Sequence, residues 1–166
     1  MITGLIDWFR ERSLPRSHRR RIRAARRTLN LLAGWLQKDG EQAAPRVFGY
    51  LRKIDPLVFE ELALDAFRRA GVRVKRGRRY SGDGGVDGHV RYVGRWCPIQ
   101  CKRYQSAINP AQVRDFSRVV ERSRAPRGYF VHTGRTGDAS WEARGSAVRM
   151  ISGHRLIDLL QGNLPR

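Results

Sequence analysis

Apolar residues recur every three or four positions between His18 and Lys38, a spacing that predicts an amphipathic helix. Its apolar positions are Ile22, Ala25, Leu29, Leu32 and Leu36, and the arginines that fall mostly between them are Arg19, Arg20, Arg23, Arg26 and Arg27. Gly40 is expected to cap the helix, and residues 40–45 are expected to form a connection. The pattern predicts a basic helical appendage, residues 1–50, before a domain at residues 51–166.

The rest of the chain alternates between helix and strand patterns. Asp55 and Pro56 predict a helix start, with Asp as the cap and Pro at the first helical position, and Gly71 ends that helix. The elements predicted after it are an edge strand at Val72 and Val74, a hairpin of 89–93 and 96–102, a helix from Pro110, a buried strand at 128–133, a helix at 136–147, a strand at 148–151 and a short helix at 156–160. This order predicts an α/β sandwich with a mixed sheet.

The charge of the chain indicates a polyanionic partner. The 166 residues include 34 Lys and Arg against 15 Asp and Glu, which gives a formal net charge of +19. Such a surplus opposes compaction unless a polyanion offsets it, so nucleic acid is the leading candidate. Arg outnumbers Lys, which suits bidentate phosphate binding, although a GC-rich genome produces the same bias.

Cysteine content and hydropathy argue against several other protein classes. Cys97 and Cys101 are too few for a disulfide-stapled secreted fold or a Cys-only zinc site, so we expect small core residues and a reducing cytoplasm. Asp7 interrupts the apolar N-terminus before a signal-peptide core develops, and no apolar run approaches the roughly 20 residues of a membrane span. We therefore expect neither secretion nor membrane insertion.

Residues suited to phosphodiester chemistry lie on the predicted hairpin. Asp87 stands at a glycine-rich turn entering the first strand, and the second strand carries Gln100 and Lys102 on one face, opposite to Cys97, Ile99 and Cys101. Pairing of the two strands would bring Asp87 near Gln100. Phosphodiester hydrolysis needs a hard cation and a positive group near the attacking water. Asp87, the Gln100 amide oxygen and Lys102 could supply these parts.

The order of these motifs resembles the catalytic domain of Mrr-like (type IV restriction) endonucleases, a branch of the PD-(D/E)xK nuclease superfamily. The resemblance spans about residues 55 to 160 and rests on Phe59-Glu60, Gly82-Asp83-Gly84-Gly85-Val86-Asp87-Gly88, Ile99-Gln100-Cys101-Lys102-Arg103-Tyr104, Gly128-Tyr129-Phe130-Val131-His132-Thr133-Gly134, Ala139 and Ile151-Ser152-Gly153-His154-Arg155-Leu156. It implies a restriction-endonuclease-like αβββαβ core with a mixed sheet flanked by helices. It also implies metal-dependent cleavage of DNA, often of modified DNA.

The resemblance assigns a role to each candidate residue. Asp87 would be the principal metal ligand, Gln100 would replace the Glu usual in the superfamily, Lys102 would stabilise the transition state, and Glu60 would complete the acidic site. Because Gln in place of Glu removes a negative charge, metal binding would depend more on Asp87, Glu60 and a backbone carbonyl near Cys101. Mg²⁺ is the expected cofactor, with Mn²⁺ as a substitute, and double-stranded DNA is the expected partner.

Several assignments have competing interpretations. Asp83 competes with Asp87, since an Asp in a glycine-rich turn often binds only local amides. Glu60 is also consistent with a helix-dipole role beside Glu61. The predicted DNA contacts are Arg19, Arg20, Arg23, Arg26, Arg27 and Arg103, although a solvated or membrane-surface helix gives the same basic pattern. His89, His132 and His154 are interpreted as framework residues.

The sequence leaves three functions open, of which the favoured one is a metal-dependent DNA endonuclease acting against foreign or modified DNA. The second is a catalytically inactive DNA-binding protein on a nuclease fold, which the intact Asp87, Gln100 and Lys102 disfavour. The third is a nuclease of repair or of mobile elements. A nicking monomer and a homodimer that breaks both strands are both compatible with the sequence.

Overall fold

The first elements of the described structure, within residues 16–51, are helical and pack onto the remainder. The computed structural model describes residues 13–77 and 85–164. Helix α1 is Arg16–Asp39, and the five apolar positions predicted from its periodicity are all buried. Gly40 follows with φ +58°, as expected of a helix cap. The long basic helix predicted from the sequence is therefore present.

The segment after α1 differs from the prediction. Residues 40–45 were expected to be a connection, whereas the chain forms a 3-10 turn, Gly40–Ala43, and then helix α2, Ala44–Leu51. Proline in the first turn of α2 costs no hydrogen bond, because the first helical N–H groups have no partner within a helix. Val47 and Leu51, four residues apart, bury the inner face of α2.

Helix α3, Pro56–Arg69, is the central helix of the molecule. Its start is the predicted one, since the Asp55 side chain accepts hydrogen bonds from the backbone N–H groups of Leu57 and Val58. Seven consecutive residues from Glu61 to Phe67 are buried, so α3 is enclosed on all sides. The apolar face of α1 joins α3 and one face of the sheet in a single core cluster.

The sheet has five strands in the order β1-β2-β3-β4-β5, and its direction changes at β3. The strands are β1 Val74–Arg76, β2 Gly88–Tyr92, β3 Arg95–Lys102, β4 Gly128–His132 and β5 Val148–Ile151. β1, β2 and β3 pair antiparallel, whereas β3, β4 and β5 pair parallel. The predicted edge strand, hairpin and mixed sheet are confirmed, as is the α/β restriction-endonuclease-like class.

The remaining helices complete the layers. Helix α4, Pro110–Arg122, is capped by Asn109 and packs a second core cluster against the other face of the sheet. Helix α5, Asp138–Ala143, is shorter than the predicted 136–147, because Gly137 caps its start and Gly145 adopts φ +62° soon after its end. Helix α6, Gly153–Leu160, closes the chain. Within the described ranges no helix combines the length and apolarity of a membrane span.

Candidate active site

Asp87 is fixed at the entrance of β2 by the backbone of β3. Its N–H donates to the carbonyl of Ile99 at 2.9 Å, and its Oδ2 accepts from the N–H of Cys101 at 2.6 Å. Burial raises the pKa of Asp87 to about 6, although the Cys101 N–H and the charge of Lys102 oppose that rise. The hairpin thus brings Asp87 beside the strand that carries Gln100, as the strand pairing predicted.

Gln100 is buried, and its amide oxygen has no hydrogen-bond partner among the described residues. Its Nε2 donates to the carbonyl of Gly85 at 2.7 Å, while Oε1 is buried and has no hydrogen-bond partner among the described residues. A Cβ on Gly85, which has φ +84°, would lie 2.3 Å from Gln100 Nε2. Only glycine fits there, and the turn before β2 thereby sets the rotamer of Gln100.

Glu60 and Lys102 complete an electrostatically coupled group. Burial raises the pKa of Glu60 to about 8, with further increases from the charges of Asp87 and Glu61, while Lys102 lowers it. The same lysine lowers the pKa of Asp87. Glu60, Asp87 and Lys102 therefore act on one another, although they come from α3, the start of β2 and the end of β3.

Glu60 and Glu61 lie in different environments despite being adjacent. Glu61 is 2% exposed. Its Oε1 lies 2.7 Å from Nε2 of His18 on α1, and its Oε2 lies 2.8 Å from Nε of Arg76 on β1. Glu60 is coupled instead to Asp87 and Lys102. The two residues therefore separate into an interhelical ion pair and a carboxylate of the candidate site.

The predicted DNA-contacting arginines are placed in three ways. Arg26 donates to Asp65 at 3.0 Å, which binds it to α3. Arg103 donates to the carbonyl of Arg52, and Arg52 in turn donates to the carbonyl of Thr133, so Arg103 is directed toward the α2–α3 connection. The others lie on the solvent side of α1, namely Arg19, half-buried, and Arg20, Arg23 and Arg27, exposed.

His132 and the two cysteines are buried, and Cys101 lies directly beside Asp87, to which its backbone N–H donates. Burial lowers the pKa of His132 to about 4, and its Nε2 lies 3.2 Å from the hydroxyl of Thr136. Cys97 and Cys101 are buried and free, consistent with their interpretation as small core residues. Asp83, the competitor of Asp87, falls outside the described residues.

The donor set suits a hard divalent cation. Two carboxylates, of which Asp87 raises the pKa of Glu60, and an amide oxygen with no hydrogen-bond partner among the described residues are oxygen ligands of the kind that Mg²⁺ prefers. The described residues hold no cluster of three His, Cys, Asp or Glu side chains that could bind a metal by themselves. A cation here would depend on Gln100 and on further oxygens of backbone, water or DNA.

Sequence reasoning missed the parts of the site that depend on the backbone. The Gly85 carbonyl accepts a hydrogen bond from the Gln100 amide, and the glycine run before Asp87 was the sole feature of the sequence that pointed to this contact. The buried Thr133 hydroxyl joins the two strand ends by accepting from the N–H of Tyr104 and donating to its carbonyl. Thr133 follows a fully buried strand, and a polar residue in that place was the available signal.

Comparison with known proteins identifies one family. The family model of the Mrr catalytic domain, described as a restriction endonuclease, matches residues 51–160. The match includes α3, all five strands and the four residues of the candidate site. Searches of curated proteins and of solved structures found no match to the chain.

Proposed function

Because the chain belongs to the restriction endonuclease family defined by the Mrr catalytic domain, we propose that it hydrolyses phosphodiester bonds of double-stranded DNA with Mg²⁺ as cofactor. Family membership makes residues 51–160 a nuclease domain with DNA as its substrate. The metal and the roles of individual residues are the further content of the proposal. Mn²⁺ is expected to substitute for Mg²⁺.

The observation that carries the proposal is the buried Oε1 of Gln100, which has no hydrogen-bond partner among the described residues, one residue along β3 from the Cys101 N–H that binds Asp87. A buried polar atom without a hydrogen bond costs about 1–3 kcal/mol, and a bound ion or an ordered water can satisfy such an atom. Asp87 and Glu60 carry a further cost of burial as charged groups. A divalent cation would offset both costs at once.

Each residue then has a distinct task. Asp87, Gln100 and Glu60 would hold the cation, and the bound cation would polarise the scissile phosphate and lower the pKa of the attacking water. Lys102, which already lowers the pKa of both carboxylates, would stabilise the negative charge that develops on the phosphate. Glu60, with a pKa of about 8, would lose a proton when the cation binds.

The test is cleavage of methylated and unmethylated supercoiled plasmid with Mg²⁺, Mn²⁺ or EDTA. Lys102→Ala should bind DNA normally and lose about 10² to 10³ in rate, because one cation at the developing charge contributes that much. Lys38→Ala, at an exposed lysine of α1, is the matched control. Equal cleavage by Lys102→Ala and wild type at matched occupancy would refute the proposed site.

Cation binding can be measured separately from activity. Calorimetric titration of Mg²⁺ or Mn²⁺ into the DNA-free protein should detect a site that Asp87→Ala abolishes. Gln100→Glu adds a negative charge and should retain cleavage with tighter metal binding. Asp83→Ala should cost less than Asp87→Ala, and the reverse order would exchange their assignments.

We extend the proposal to restriction of foreign or modified DNA, which family membership supports. Preference for methylated plasmid would support this role, and indifference to methylation would favour repair or mobile-element biology. Linear product without accumulation of nicked circles would indicate a homodimer acting on both strands. A protein that binds duplex but never nicks it under these conditions would instead be a non-catalytic DNA-binding protein.

A further inference from the structure

An open groove of about 520 Å³ lies between α1 and the first turn of α3, away from the coupled carboxylates. Among the described residues it is lined by Ser17, Arg20, Arg21, Arg23, Ala24, Arg27 and Val58, none of which is acidic. The walls therefore bring four guanidinium groups to one concave surface. Such a surface favours an anion.

Two carboxylates of α3 already have basic partners inside the α1–α3 interface. Asp65 accepts from Arg26, Arg68 and Arg76, and Glu61 pairs with His18 and Arg76. Both carboxylates are at most 2% exposed. They neutralise charge inside the α1–α3 interface and form no ion pair with Arg20, Arg23 or Arg27.

Three of those arginines are free in the described structure. Arg20, Arg23 and Arg27 are exposed, and none makes an ion pair or a side-chain hydrogen bond with a described residue. Their spacing of three and four residues puts them on one side of α1, over a length of about 10 Å at 1.5 Å per residue. Phosphates of one DNA strand follow at about 3.4 Å along the duplex axis, so this length matches about three of them.

The groove is held at a fixed position relative to the candidate site. The His18–Glu61 and Arg26–Asp65 contacts fasten α1 to α3, and Glu60 is only two residues from Val58 in the groove wall. Residues two apart on a helix face nearly opposite directions, so groove and site lie on opposite sides of α3. Their separation is about one helix diameter, roughly 10 Å.

We propose that the α1–α3 groove is a phosphate-binding anchor for duplex DNA, contacting about three phosphates of one strand across α3 from the candidate site. The inference rests on the proposed function in taking duplex DNA as the ligand. It divides the basic face of α1 into two parts. Arg20, Arg23 and Arg27 bind the substrate backbone, whereas Arg26 holds the helix in place.

The test is the salt dependence of binding to a duplex of about 30 base pairs, measured by fluorescence anisotropy in EDTA so that no cleavage occurs. Each neutralised phosphate contributes about 0.9 to the slope of log affinity against log salt. The combined Arg20→Gln, Arg23→Gln and Arg27→Gln variant should lower the slope by about 2.7. Between 50 and 200 mM salt, the factor by which its affinity falls should therefore be about 40 times smaller than the factor for the wild type.

The matched control removes the same charge from another exposed helix face. Arg114, Arg118 and Arg122 lie exposed on α4, and their combined replacement by Gln should lower the slope much less. Equal slopes in the wild type and the groove variant, or equal losses in groove and control variants, would overturn the proposal. If the groove variant does not fold, Arg23→Gln alone should lower the slope by about 0.9.

Two further measurements distinguish this inference from its alternatives. Groove-dependent binding to phosphatidylserine vesicles, without an effect on duplex binding, would overturn the proposal and assign the groove to a lipid surface. A wild type that binds DNA through the groove but never nicks plasmid would refute the nuclease mechanism and leave the anchor standing. A wild type that nicks plasmid, together with a groove variant whose salt slope is unchanged, would refute the anchor and leave the nuclease mechanism standing.

Discussion

Replacement of Asp87 by asparagine should stabilise the metal-free protein while abolishing cleavage. Asparagine has nearly the same shape, and its amide oxygen can still accept from the Cys101 N–H. The change removes a carboxylate that burial disfavours in its charged form. The pKa of Asp87 rises from 3.8 to about 6, which at 1.36 kcal/mol per pH unit corresponds to up to about 3 kcal/mol.

The sign follows from proton linkage. Between pH 3.8 and 6 the folded protein binds more protons at Asp87 than the unfolded chain does, so this residue makes the fold less stable as pH rises. The destabilisation is complete above about pH 6. The advantage of Asp87→Asn should therefore be full at pH 7 and disappear near pH 4, where both forms of the wild type are protonated.

The assay is denaturant unfolding in EDTA at several pH values, compared with plasmid cleavage in Mg²⁺. Asp39→Asn, at the exposed end of α1, is the control and should change the free energy of unfolding by no more than about 0.5 kcal/mol. Added Mg²⁺ should stabilise the wild type and leave Asp87→Asn unaffected. A variant that is less stable than the wild type at pH 7 in EDTA, or that still cleaves, would refute the reasoning.

Three other predictions concern groups around Asp87. Below about pH 8 a proton competes with Mg²⁺ for Glu60, so the Mg²⁺ concentration for half-maximal cleavage should fall as pH rises from 7 to 9; Glu60→Gln should raise that concentration and flatten the trend. Gly85→Ala should lose more activity than Gly94→Ala, because both residues have positive φ but only a Cβ at Gly85 meets Gln100, and equal losses would contradict this. His132 has a pKa lowered to about 4, so it contributes stability at neutral pH that is lost as pH falls from 6.5 to 4; unfolding of His132→Gln across that range should show a flatter pH dependence than the wild type.

The features predicted correctly are those that local rules determine. The period of two in β3 correctly separated Gln100 and Lys102 from the core residues Cys97 and Ile99, because pleating fixes alternation whatever the neighbouring strands are. The start of α3 at Asp55 was equally predictable, since the cap and the following proline act within one turn. The order of the strands followed from the family resemblance.

The features missed are those that depend on contacts between distant residues. Nothing local distinguishes Arg26, which binds Asp65 across 39 residues of sequence, from Arg23 on the same helix. His18 and Glu61 give no sign in sequence that they pair in a buried interface. For the same reason the contact of Arg103 with the carbonyl of Arg52 could not be predicted, whereas the expected contact of Arg103 with DNA stays a prediction.

The ion pairs between α1 and α3 have a consequence for engineering. The family match begins at residue 51, but a fragment cut there would lose both His18 and Arg26 and retain Glu61 and Asp65 without those partners. It would also expose the apolar surface that Leu29 and Leu32 cover, so expression of residues 52–166 alone should give aggregated polypeptide. A chimaeric nuclease that joins this catalytic unit to a foreign DNA reader must therefore include α1, with the fusion made ahead of that helix.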